Sequence, residues 1–80
     1  MTGTIQDLDV NGQAELAGAI SNELVDVVRE HGGPLSVVEA SRAVSDRMGI
    51  GEAQVAYGVA FARITRVLNL DAIDYTLSLA

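Results

Sequence analysis

The sequence contains no cysteine and no lysine, and its 80 residues include one proline, one histidine and three aromatic residues. The absence of cysteine excludes a disulfide framework and thiolate metal sites, and it removes any need for an oxidising compartment. No apolar run approaches the ~18 residues of a membrane span, and the N-terminus lacks the basic and apolar regions of a signal peptide. We therefore expect a cytoplasmic protein with no membrane partner.

The chain is strongly acidic. Eleven carboxylates face five cations, all of them arginine, which gives a net charge of -6. Two origins fit this composition: a high-salt cytoplasm, because acidic, arginine-preferring chains resemble haloarchaeal proteins, or a GC-rich genome. The charge repels nucleic acid in dilute salt, whereas at 1 M salt the Debye length falls to about 3 Å and the repulsion weakens.

The apolar residues, 49% of the chain, are mostly short aliphatics, which suits one domain of packed helices. Their periodicity predicts a mainly α domain over residues 1–80 with a small β element. We expect helices over 12–31, 37–48 and 52–68, a strand over 72–79, and an N-terminal arm or weak strand within 1–11. The C-terminal strand needs a partner, which is residues 5–10, the "PLS" segment or another molecule.

Local signals mark the ends of the second helix. Ser36 followed by Glu39 is a capping box at its start, and Gly49 followed by Ile50 is a glycine cap at its end. The third helix has one arc of larger apolar residues and an opposite arc of small and polar residues. We expect the arc of larger apolar residues to face the core. The larger arc is Ala53, Tyr57, Ala60, Phe61, Ile64, Val67 and Leu68.

The corner between the last two helices carries a small residue, Ser45, then Gly49, Ile50 and Val55. A small residue permits close helix crossing, glycine accepts positive φ, and the apolar pair fixes the corner to the core. With three helices and a following strand, residues 12–79 resemble the winged helix-turn-helix family. Gly58 departs from the branched residue usual there, and we expect the chain to end before a two-stranded wing forms.

The resemblance implies DNA binding or transcription regulation, with the third helix in the major groove. Its early positions Glu52, Gln54, Val55 and Gly58 would then approach the bases, and Gln54 could read an adenine. Glu52 would repel phosphates unless it accepted a hydrogen bond from a cytosine.

The arginines are the candidates for phosphate contacts. Local carboxylates are expected to neutralise Arg29 and Arg42. Arg47 lies in a last helical turn, where the dipole favours a cation, and it remains a candidate. Arg63 and Arg66 have no carboxylate three or four residues away, so they either bind phosphate or pair with the acidic first helix.

No other cluster indicates chemistry. His31 is expected to stabilise a helix end. For Asp71 and Asp74 we expect a role in the turn rather than as ligands of a hard cation. We therefore predict no enzyme activity, cofactor, metal or small-molecule ligand.

The alternative function is a protein-interaction or homodimerisation domain without nucleic-acid activity. The edge of the C-terminal strand and a small helix face favour a dimer, unless both are packed within the monomer. That face consists of Val55, Gly58, Val59 and Ala62.

Overall fold

The structure, a computed structural model, describes the backbone of residues 2–80 and the side chains of residues 14–80. Three helices and three short strands make a mainly helical fold with a small antiparallel sheet. In chain order the elements are α1 (Thr2–His31), β1 (Leu35–Ser36), α2 (Val37–Met48), α3 (Glu52–Ile64), β2 (Leu68–Asp71) and β3 (Thr76–Leu79). This arrangement is compatible with a winged-helix-like topology.

The first helix begins ten residues earlier than its periodicity predicted. Thr2–His31 is one continuous helix, so the prediction of an arm or strand within residues 1–11 is wrong. A strand there could not pair with β3 as predicted, because β3 already has β1 on one side and β2 on the other. The helix stops where Gly32 takes a φ of 85° and its N–H donates to the Val28 carbonyl. No helix among the described residues is long and apolar enough to cross a bilayer.

The second helix follows the cap signals of its sequence. The Ser36 hydroxyl accepts a hydrogen bond from the Glu39 N–H at 3.5 Å, which is one half of the predicted capping box. At the other end Gly49 has a φ of 67°, and the N–H groups of Gly49 and Ile50 both donate to the Ser45 carbonyl. The Ser45 hydroxyl also donates to the Ile50 carbonyl, so this small residue holds the corner together.

The third helix ends at Ile64, four residues before its predicted end. Arg66 takes a φ of 62°, its N–H donates to the Arg63 carbonyl, and the Val67 N–H donates to the Ala62 carbonyl. These two bonds form a Schellman motif, a turn in which glycine is the usual residue at the left-handed position. The chain therefore leaves the helix at Arg66 and is free to begin β2 at Leu68.

The C-terminal region is a hairpin: the strand predicted over 72–79 is present as β3 but begins only at Thr76, and β2 precedes it. Strands β2 and β3 pair from Leu68 with Leu79 to Asp71 with Thr76, and residues 72–75 form the turn. The Asp71 carboxylate accepts hydrogen bonds from the N–H groups of Ile73 and Asp74, at 2.9 and 3.1 Å, which supports the turn-residue interpretation of Asp71. Two antiparallel strands therefore follow α3, contrary to the prediction that the chain ends before a second strand forms.

The sheet has the order β1-β3-β2, and β1 is the short "PLS" link that the sequence offered as one possible partner. Leu35 pairs with Leu77, and the Val37 N–H donates to the Tyr75 carbonyl at 3.0 Å. The buried side chains of the helices and sheet form one core: Ile20, Leu24, Val27, Val28, Leu35, Val37, Ala40, Val44, Val55, Ala62, Leu68 and Leu77.

Helices α1 and α3 meet at Gly58. A Cβ placed on Gly58 would lie 2.0 Å from the Cγ2 atom of Ile20 and 2.5 Å from its Cβ, so only glycine fits. This contact explains the departure from the branched residue of the winged-helix pattern. It also corrects the expectation that Val55 and Gly58 approach a ligand, because both are buried.

We predict that Gly58→Ala lowers the free energy of unfolding by about 1–3 kcal/mol, because Ile20 is branched at Cβ and cannot turn away. Gly18→Ala is the matched control, since its Cβ would lie 3.9 Å from Phe61, an ordinary contact. The control should gain up to about 1 kcal/mol from helix propensity. Urea denaturation measures both, and equal stabilities for the two variants would contradict the close packing.

Candidate interaction surface on helix α3

Helix α3 is apolar on two sides, and the core takes the side with the smaller residues. Val55, Gly58 and Ala62 are buried, and Val59 is partly buried against the same core. The larger arc, predicted to pack, instead faces solvent throughout α3, so that prediction is wrong for the helix. The reason is steric: the Gly58 contact holds α1 too close to α3 for aromatic side chains to fit between them.

The outer face of α3 is defined here as five of its solvent-exposed apolar residues, Ala53, Tyr57, Ala60, Phe61 and Ile64. Tyr57 is 60% exposed, Ile64 80% and Phe61 36%. On the rest of this arc, Val67 is exposed and Leu68 is buried. Between Glu52 and Arg63 the helix carries ten uncharged residues, "AQVAYGVAFA". An acidic domain therefore presents one continuous apolar, uncharged helix face to solvent.

A groove of about 470 Å³ lies beside the outer face of α3. Its walls come from the start of α2, from α3 and from the hairpin, and both charged ends of α3, Glu52 and Arg63, line it. Exposed apolar residues continue around it, at Val38 on α2 and at Tyr75 in the hairpin turn. The lining residues are Val37, Val38, Ser41, Glu52, Ala56, Val59, Ala60, Arg63, Leu70 and Tyr75.

The four predicted nucleic-acid-binding residues do not form one cluster. The Gln54 side-chain oxygen accepts a hydrogen bond from the Gly51 N–H at 3.2 Å, which caps the start of α3. Arg63 lines the groove of α3, whereas Arg66 lies in a separate cleft together with Asp26 of α1. Arg47 is on α2 and contacts α1.

Arg47 ties the end of α2 to the acidic side of α1. Its guanidinium donates two hydrogen bonds to the Glu30 carboxylate and lies 3.8 Å from an oxygen of Glu23. The hydrogen bonds from Arg47 lower the pKa of Glu30, and the same pairing raises the pKa of Arg47. Glu23 and Glu30 lie seven residues apart on α1, a spacing that sequence analysis did not connect with Arg47.

The other arginines differ in how they are neutralised. Arg29 pairs with Asp26 at 3.4 Å, as predicted. Among residues 14–80, Arg42, Arg63 and Arg66 form no ion pair within 4.0 Å, so the expected neutralisation of Arg42 is wrong. No group of three or more metal-ligating side chains occurs in the part of the chain whose side chains are described.

We predict that Arg47→Ala raises the pKa of Glu30 towards its ordinary value, because the hydrogen bonds that favour the carboxylate disappear. A lowered folded-state pKa contributes stability above the unfolded pKa, and this contribution is lost as the pH falls through the folded pKa. The stability difference between Arg47→Ala and the natural protein should therefore vanish in acid. NMR titration of the Glu30 side chain measures the shift, and an unchanged pKa would contradict the pairing. Arg42→Ala is the control and should leave it unchanged.

The sequence has no match among protein-family models, curated proteins or solved structures. The activity of this domain is therefore inferred from the exposure, charge and geometry of its own residues.

Proposed function

We propose that this chain is a protein-interaction domain on a winged-helix-like scaffold, located in the cytoplasm, and that a partner covers the outer face of α3. The observation that carries the proposal is the exposure of Tyr57, Phe61 and Ile64 on a helix without charge between its ends. Contiguous exposed apolar patches on small soluble domains commonly mark interaction sites. Aromatic side chains are enriched at such sites, and charged ones are depleted at their centres.

The groove beside α3 supports the same proposal. It lies between the outer face of α3 and the hairpin, and Val38 and Tyr75 extend the apolar surface beyond the helix. A partner that covers α3 would also gain contacts in this groove. Glu52 and Arg63 at its two ends offer opposite charges that can orient the partner.

If a partner covers the outer face of α3, a photo-crosslinking group placed on this face should attach to that partner in the source cells. A benzoylphenylalanine placed at Ile64, which is 80% exposed at the end of the outer face, should yield a discrete protein adduct. The same group at Arg42, which is exposed on α2, is the control and should yield none. The adduct at position 64 should decrease at least five-fold with Tyr57→Ser, because a central apolar contact is lost. Equal labelling at positions 64 and 42 would contradict the proposal.

DNA binding is the second candidate function. Under this candidate the chain is a DNA-binding member of the winged helix-turn-helix family. The observations that favour it are the hairpin beside α3 and the conformation of Arg66. Arginine occupies a left-handed position that glycine adopts without cost, and such strain is common at functional sites. Arg63 and Arg66 pair with no carboxylate among residues 14–80, and both are exposed.

For this second candidate we expect Arg63→Ala combined with Arg66→Ala to weaken binding to a mixed-sequence duplex at least several-fold, because phosphate contacts are removed. Fluorescence anisotropy in dilute and in molar salt measures the affinity, and circular dichroism checks the fold. Arg29→Ala combined with Arg42→Ala is the matched control of equal charge and should bind like the natural protein. An absence of binding at both salt concentrations, or equal loss in both double variants, would exclude this candidate.

A further inference from the structure

We propose that the partner covering the outer face of α3 is a second copy of this chain, with the two α3 helices antiparallel about a two-fold axis near residue 58. Glu52 of each copy then lies beside Arg63 of the other. This inference rests on the proposed function and identifies the occupant of the surface. Three properties of α3 support it: the distribution of its charges, their spacing, and the sizes of its exposed side chains.

The distribution of charge favours contact between two copies at the outer face of α3 and disfavours contact at the other helical faces. Each copy carries a net charge of -6, so two copies repel unless their carboxylates stay apart. The described part of α1 exposes carboxylates, and α2 exposes Glu39 and Asp46. The outer face of α3 has no carboxylate between Glu52 and the end of the helix, so it is where two acidic copies can approach.

The spacing of the two charges fits an antiparallel pair. Glu52 and Arg63 are eleven positions apart, which is about 16 Å along the helix and leaves the two positions within about 20° of the same side. Both residues line the same groove, so they share one flank of the outer face. A two-fold axis perpendicular to both helices makes them antiparallel. It also places the flank that carries Glu52 and Arg63 in one copy next to the same flank of the other copy. It therefore brings each Glu52 to the level of the other copy's Arg63, within about one residue rise of 1.5 Å.

The sizes of the exposed apolar residues suit the same axis. With the axis near residue 58, Ala53 of one copy lies within about one residue rise of 1.5 Å of the level of Ile64 in the other, so a small residue faces a large one. Tyr57 and Phe61 share the flank away from the charges, where their rings meet the rings of the second copy. Ala60 leaves room for the helices to approach closely. Aromatic residues that meet in this way are typical anchors of an interface.

We expect the dimer to be weak and reversible, because a contact of three to four helical turns lies near the lower size limit of specific interfaces. Light scattering of the purified chain should show its mass rising from monomer to dimer at roughly micromolar concentration. A monomer mass at millimolar concentration, in both dilute and molar salt, would overturn the inference. If the benzoylphenylalanine at position 64 then still captured a different protein in cells, the proposed function would stand without the homodimer.

Charge exchange tests the antiparallel arrangement. Glu52→Arg alone and Arg63→Glu alone should each weaken self-association about ten-fold, because like charges then face each other twice across the axis. A mixture of the two variants should associate as tightly as the natural protein, since each arginine then faces a glutamate. The double variant Glu52→Arg with Arg63→Glu should likewise recover. Weakened single variants without recovery in the mixture would overturn the antiparallel pairing.

Control variants separate these effects from loss of the fold. Glu39→Arg places the same change in the first turn of α2, where it has the same unfavourable interaction with the helix dipole but lies outside the outer face of α3. Arg42→Glu is the corresponding control for Arg63→Glu. Both controls should dimerise within two-fold of the natural protein, and circular dichroism should give all variants the same helix content. An equal loss of association in controls and test variants would overturn the assignment of the interface.

Discussion

The contact between Ile20 of α1 and Gly58 of α3 determines how the rest of this domain is arranged. It brings the two helices so close that no side chain larger than hydrogen fits at position 58. Only the small arc of α3 can then face the core, and its larger apolar residues must point to solvent. The exposed outer face of α3 is thus a consequence of a packing constraint on the opposite side of the same helix.

The sequence predicted well those features that depend on neighbouring residues. The caps at Ser36 and Gly49 place the bounds of α2, because a hydroxyl or a left-handed glycine acts over three or four residues. The sequence also predicted the mainly helical class, since apolar periodicity persists through each helix. Asp71 is likewise a turn residue whose role follows from its own local hydrogen bonds.

Several of the errors concern choices that local patterns leave open. Helix α3 is apolar on both arcs, so periodicity could not decide which arc faces the core, and side-chain size suggested the wrong one. The small residues Gly58 and Ala62, spaced by one helical turn, were the signal of close packing, and the approaching helix is α1 of the same chain. The positive φ of Arg66 and Tyr75 ended a helix and closed a hairpin without the glycines that mark such turns. Arg47 reaches Glu30 across 17 positions, a distance that no local pattern covers.

The hydrogen bond from the Val37 N–H to the Tyr75 carbonyl joins the first turn of α2 to the last residue of the hairpin turn. A helix begins with N–H groups that have no acceptor within the helix, and here the hairpin supplies the acceptor for one of them. The start of α2 and the hairpin are therefore mechanically coupled. A hairpin tip displaced outwards would leave the Val37 N–H without this acceptor, so the conformation of the hairpin affects the stability of the first turn of α2.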